Sequence, residues 1–222
     1  MAPRTTGASA RKPISLPDIR RPDQMPSWPE WVVSRIGLVK DECQPSVTDG
    51  KWRTMPTLPS HLMLSQTERT EIERAIGELT ELCDQTPERD PRCEAETLVL
   101  ITKMMLALPS SQQNELGAEA TGEAFQVALE DLPTWAVDAA MRKWYRGQCG
   151  LNQHGQPYDY RWRPAPADLR RVAFSARYAV FAQVRALQRL LDAEPLREFS
   201  EEQTAAMRER LANLSAKGGL TL

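Results

Sequence analysis

From Ser65 onward, apolar residues recur at helical spacing, and sharp punctuation separates one apolar stretch from the next. Ser65 with Glu68 three residues later makes a capping box, and Ile72, Ile76, Leu79 and Cys83 share one face of the helix that follows. Glu68, Glu71, Glu73, Glu78 and Glu81 occupy its other faces. Pro87 and Pro91 place a turn over 84–92. The next helix, over about 94–108, is apolar nearly all round, with Leu98, Val99, Ile101, Met104, Met105, Leu106 and Leu108. That pattern predicts a central, buried element, stopped by Pro109. A polar loop over 110–116 precedes a third helix, from 117 or 118 to 130, with Ala124, Phe125, Ala128 and Leu129 at helical spacing. Pro133 fits the first turn of a fourth, whose face is Trp135, Val137, Ala140, Met141 and Trp144 and whose end is Gly147.

A loop over 148–163 holds Gly150, Gly155 and Pro157, and a short strand or hairpin there is weakly signalled. Pro164 and Pro166 then open a long helix to about 193. Its Leu169, Val172, Ala173, Ala176, Val180, Val184, Leu187 and Leu191 cluster within roughly a third of the circumference at ~100° per residue. Ser200 with Gln203 signals a second capping box, and Met207, Leu211 and Leu214 mark a short last helix before Gly218 and Gly219.

Residues 1–60 behave differently. Prolines at 3, 13, 17, 22, 26, 29, 45, 56 and 59 remove backbone donors and interrupt helices. Arg4, Arg11, Lys12, Arg20 and Arg21 against Asp18 alone suit a flexible basic arm. An island over 28–36, with Trp28, Trp31, Val32, Val33 and Ile36, suits a helical turn with Ser27 as N-cap. Two tryptophans are costly to leave in water, so the island is expected to dock on the chain's own core, with a linear motif for a partner as the alternative. The chain therefore reads as all-α, a compact multi-helix bundle with a Pro-rich, largely irregular N-terminal arm. Three parts are expected: the arm over 1–60, a helical core over 61–193, and a short helix and tail over 194–222.

Composition changes this picture little, whereas charge adds to it. Hydrophobic residues at 41% and charged residues at 26% fit a soluble globular protein. The net charge of −2 is segregated: residues 65–131 carry 5 basic and 15 acidic side chains, and residues 132–192 carry 10 basic and 4 acidic. Such blocks usually neutralise each other across a fold, and less often one faces an external partner. Cys43, Cys83, Cys93 and Cys149 form no C-x2-C pair and the histidines are His61 and His154, so neither a zinc site nor another cofactor is expected. The longest apolar run is about a dozen residues, too short for a bilayer core of ~30 Å. A cytoplasmic protein with reduced thiols and no membrane partner is expected.

Catalytic motifs are missing from the sequence. The nearest fragment to a phosphate loop, Gly50-Lys51-Trp52, lacks the first glycine and the hydroxyl. His61 and His154 fall in loops without a carboxylate framework. No enzyme is expected, and the candidates are contact residues. Arg170, Arg171, Arg177, Arg185 and Arg189 lie on an arc of the long helix apart from its apolar stripe, where guanidinium groups suit phosphate. Pairing with the acidic helix over 68–81, or plain solvation, is favoured, because a pI near 5.8 is not the footprint of a dedicated DNA binder. Tyr158, Tyr160 and Trp162 beside Arg161 and Arg163 suit base stacking, but closing the end of the bundle is favoured.

One order of parts is more specific. An apolar helix breaks at Ala107-Leu108-Pro109, and a polar loop follows. Ala128-Leu129-Glu130-Asp131-Leu132-Pro133 joins two helices, with Phe125 just before it, and Ala136-Val137-Asp138-Ala139-Ala140 begins the second. Pro164-Ala165-Pro166-Ala167-Asp168-Leu169-Arg170 opens the last. This order resembles the phage-encoded loader and inhibitor proteins of replicative helicases, over residues 95–172. The resemblance implies a small all-helical protein without ATPase activity. Such a protein binds a hexameric replicative helicase, restrains it, and delivers it to an origin through a DNA-bound initiator. The loop over 148–163 is longer than that family's, and the region after the core looks helical where the family's is flexible. Two other functions remain open: a nucleic-acid-binding accessory protein using the basic arm and the arginine face, or a phage structural or assembly adaptor.

Overall fold

The computed structural model describes residues 28–109 and 115–197, with Ala205, Arg208, Glu209, Ala212 and Asn213 beyond them. The basic arm, Ser27, most of the polar loop after Pro109, and Ser200, Gln203, Met207, Leu211 and Leu214 lie outside the described residues. The five described positions near the C-terminus are helical and exposed. Contacts group the chain into two units, one of residues 1–37 and 64–191, the other of residues 38–63 and 192–222.

The first unit is helical: α1 (Glu30–Leu38), α2 (Gln66–Asp84), α3 (Pro91–Ala107), α4 (Glu115–Leu129), α5 (Thr134–Tyr145) and α6 (Pro166–Leu191). The start of α2 is set locally. Ser65 accepts from the Glu68 amide, and the Glu68 carboxylate accepts from the Ser65 amide at 2.9 Å, which satisfies two donors a helix start would otherwise orphan. At the start of α3 the Asp90 side chain accepts from the Arg92 amide at 2.9 Å, and Pro91 sits where its missing N–H costs nothing. The α4–α5 junction is held from inside: Leu132, between the two helices, is fully buried with Phe125, Leu129, Ala136 and Val137. Ile101 and Met104 of α3 and Leu169, Val172 and Ala173 of α6 complete that core.

Helix α3 departs from expectation. Only Cys93, Thr97, Ile101 and Met104 are buried, a single stripe, while Leu98, Val99 and Leu106 are exposed, Leu106 by 84%. An apolar sequence makes burial favourable all round, but a helix buries only the faces its neighbours reach. α3 packs against α4 and α5, whereas α6 packs against α2, α4 and α5, so α6 is the central helix.

Polar contacts fix the helix ends. The Trp135 indole donates to the Leu82 carbonyl at 2.8 Å near the end of α2, and Arg69 donates to the Leu191 carbonyl at 3.1 Å at the end of α6. Arg163 reaches the Met105 carbonyl at 2.8 Å and so caps α3 from the loop before α6. Burial pushes its guanidinium below its ordinary pKa.

The second unit corrects the all-α reading. β1 (Lys40–Pro45) and β2 (Trp52–Leu58) form an antiparallel hairpin running from Lys40↔Thr57 to Pro45↔Trp52. β3 (Glu194–Pro195) adds in parallel to β2, so helices are joined by a small mixed sheet and the class is alpha/beta. The segment 38–60, expected to be mostly irregular arm, thus has defined strands. The hairpin turn is closed by Gly50 donating to the Ser46 carbonyl at 2.9 Å, with Gly50 at φ +69°. Leu58 presents its carbonyl to the β3 side, so by alternation Pro56 also faces that side, beyond the two paired residues of β3, and its missing N–H breaks no ladder bond. Gln44, Ser46 and Thr57 are buried polar residues with partners in this unit: the Pro195 carbonyl, Glu194 and the Lys40 carbonyl. Among the described residues, no helix is long and apolar enough to cross a membrane.

Candidate functional site

The site builds from the two sides of α6. Its inward stripe, Leu169, Val172, Ala173, Val180, Leu187 and Leu190, is buried. On the outward side Phe174, Tyr178 and Phe181 are 49%, 60% and 48% exposed, and Arg185 follows one turn later, also exposed. Positions i, i+4, i+7 and i+11 fall within an arc of about 60° at ~100° per residue, so these four side chains form one ridge. Phe174 and Tyr178 stack, with ring centroids 6.5 Å apart and planes 23° from parallel. From Leu169 to Leu191 the helix has five arginines and no acidic residue.

The five candidate arginines separate by environment. Arg170 grips Asp131 with both terminal nitrogens and donates to the Ala128 carbonyl at 2.6 Å, pinning α6 to the α4–α5 junction. The Arg170 hydrogen bond holds the Asp131 carboxyl below its ordinary pKa, and Asp131 in turn raises that of Arg170. Arg171 donates to the Tyr158 hydroxyl and to Gln153, both at 3.1 Å. Arg177 is half-buried near Asp131 and Cys83, while Arg185 and Arg189 are exposed. Three glutamates of the acidic helix α2 are engaged by other arginines: Glu68 pairs with Arg35, and Glu71 and Glu78 pair with Arg74.

The aromatic candidates are mostly engaged internally. Tyr158 is buried, and it and Tyr160 pack on Trp144 of α5 with centroids at 5.0 and 5.2 Å. The Trp144 indole donates to the Trp162 carbonyl at 3.1 Å, and the Tyr160 hydroxyl accepts from the Cys149 amide at 3.0 Å. Trp162 itself is 46% exposed. Next to them, residues 151–157 close a small loop around Asn152, with a bridge between Leu151 and Pro157. His154 is an exposed member of that loop. Trp28 donates to Gln183 of α6 at 2.9 Å, Val32 is fully buried, and Arg35 lies over the half-buried Trp31 ring at 5.1 Å. The tryptophan island therefore lies on the helical unit.

Phe174, Tyr178 and Phe181 escaped the sequence reading, which weighed the aliphatic stripe and the arginine arc of this helix. The usable signal was a second apolar set on a different arc of the same wheel. A concavity lies elsewhere: a groove of about 610 Å³ between α2, α3 and α5, with Leu82, Val99, Leu100 and Trp135 as its apolar wall and Lys103 and Asp138 beside them. Cys93 at its edge is no ready nucleophile, since burial pushes the thiol up. Among the described residues no group of three or more His, Cys, Asp or Glu could hold a metal ion. Compared with known proteins, the chain matches no family model, no curated protein and no solved structure.

Proposed function

We propose that this chain is a non-enzymatic replication accessory protein of a phage or prophage, which binds a replicative helicase as a loader or inhibitor. The observation that carries the binding part is the α6 ridge, three half-exposed aromatic side chains and an arginine on one face of the central helix. Exposed apolar area of this kind, next to positive charge, suits a macromolecular partner more than a small substrate. The helicase part rests on the resemblance over 95–172. Its junction residues have structural work here: Leu132 is buried in the core, and Asp131 receives Arg170 from the last matching element. Action is then stoichiometric, by unequal affinity for the states of the helicase.

A direct nucleic-acid function is less well supported, because Arg170 and Arg171 are spent on Asp131 and Tyr158. The test is a co-purification and mass measurement of the full chain with the host replicative helicase, with and without ATP. A stable complex with altered helicase activity is expected. No complex at micromolar concentration sinks the reading.

A further inference from the structure

We infer that the α6 ridge inserts into an apolar groove with a carboxylate rim on the partner protein; this rests on the helicase-binding reading above and names the chemistry of its contact. The shape comes first. Phe174, Tyr178 and Phe181 project from a convex helix over about 10 Å, from seven residues at ~1.5 Å each. A ridge spaced i, i+4, i+7 is the pattern by which a helix enters a groove.

The same geometry argues against nucleic acid as the occupant. Single strands are held in channels where aromatic faces are open to bases. Here Phe174 and Tyr178 stack on each other, at 23° and 6.5 Å, so part of that surface is already used. Duplex base edges are read mainly by polar side chains such as Arg, Asn and Gln, whereas the middle of this ridge is aromatic.

Charge fixes the rim. Arg170 and Arg171 are paired with Asp131 and Asp168, whereas Arg185 stands exposed at the end of the ridge, in line with the aromatic side chains. A neutral groove would bury that charge without a counter-ion, and a basic one would repel it. Acidic residues around an apolar floor satisfy both parts of the surface, with the aromatic anchors supplying affinity and the charges supplying association rate.

The experiment compares the full-length chain with F174A/F181A, R185E and the control V127A, whose side chain is exposed on α4. Each is titrated against the host replicative helicase at two salt concentrations and, separately, against a single-stranded oligonucleotide. F174A/F181A is expected to weaken helicase binding by about thirtyfold, the scale of an interface hot spot. R185E is expected to slow association and flatten its salt dependence. V127A should bind like the parent. If the helicase binds and both ridge variants stay within about twofold of the parent, the ridge inference is wrong while the functional reading survives. Oligonucleotide binding that these variants abolish, with helicase binding intact, reassigns the face to nucleic acid and overturns the inference. No helicase binding by the parent removes both. If F174A/F181A melts early, R185E decides alone, since a surface charge reversal leaves the core untouched.

Discussion

Removing the Arg170 guanidinium tests whether the first of the candidate arginines is a structural brace or a partner contact. In Arg170→Ala the Asp131 carboxylate loses two charged hydrogen bonds and the Ala128 carbonyl loses one. Hydrogen bonds to charged groups contribute about 1.5–3 kcal/mol each when water cannot replace them. Here water can: the Arg170 and Asp131 side chains are 39% and 41% exposed, midway between a surface pair, at about 0–1 kcal/mol, and a buried one. The net loss should be about 1–2 kcal/mol. For a chain of this size that lowers the melting temperature by about 2–8 °C, read by circular dichroism at pH 7. The pH dependence follows from Asp131, whose native pKa lies below its unfolded value near ~3.9. The brace is therefore fully present above that value and is lost as pH falls through the native pKa, so parent and variant should converge in acid. Asp131→Asn should behave similarly, and the double variant should lose less than the two single losses combined. A melting temperature within roughly 1 °C of the parent at pH 7 would refute the brace.

Phe125→Ala empties a fully buried position in the helical core and should destabilise by about 3–5 kcal/mol, measured by urea titration. Ser65→Ala removes the α2 cap and should cost about 1 kcal/mol by the same assay. It should also raise the Glu68 carboxyl, followed by carboxylate NMR: burial alone pushes that group up, and donors from Ser65 and Arg35 outweigh burial to hold it low. In iodoacetamide labelling read by mass spectrometry, exposed Cys43 should react first, and Cys83 and Cys93 last, because burial both shields their thiols and pushes them up.

What the sequence determined by itself was the local part of the fold. The capping box at Ser65 and Glu68, the break at Pro133 and the aliphatic stripe of α6 all depend on residues within a few turns of each other, and each has its counterpart in the structure. The sheet was not legible. Lys40–Pro45 has one apolar side chain in six, prolines sit in both hairpin strands, and Gln44 and Ser46 find partners in Glu194 and Pro195, about 150 residues away. No periodicity records such pairing. The exposed flank of α3 was hidden for a related reason: apolarity is a property of the residue, whereas burial depends on how many neighbours arrive. The candidate site divides along the same line. The five arginines of α6, with no acidic residue after Asp168, are visible in the chain, but only tertiary packing decided that Arg170 and Arg171 turn to Asp131 and Tyr158, leaving Phe174, Tyr178, Phe181 and Arg185 outward.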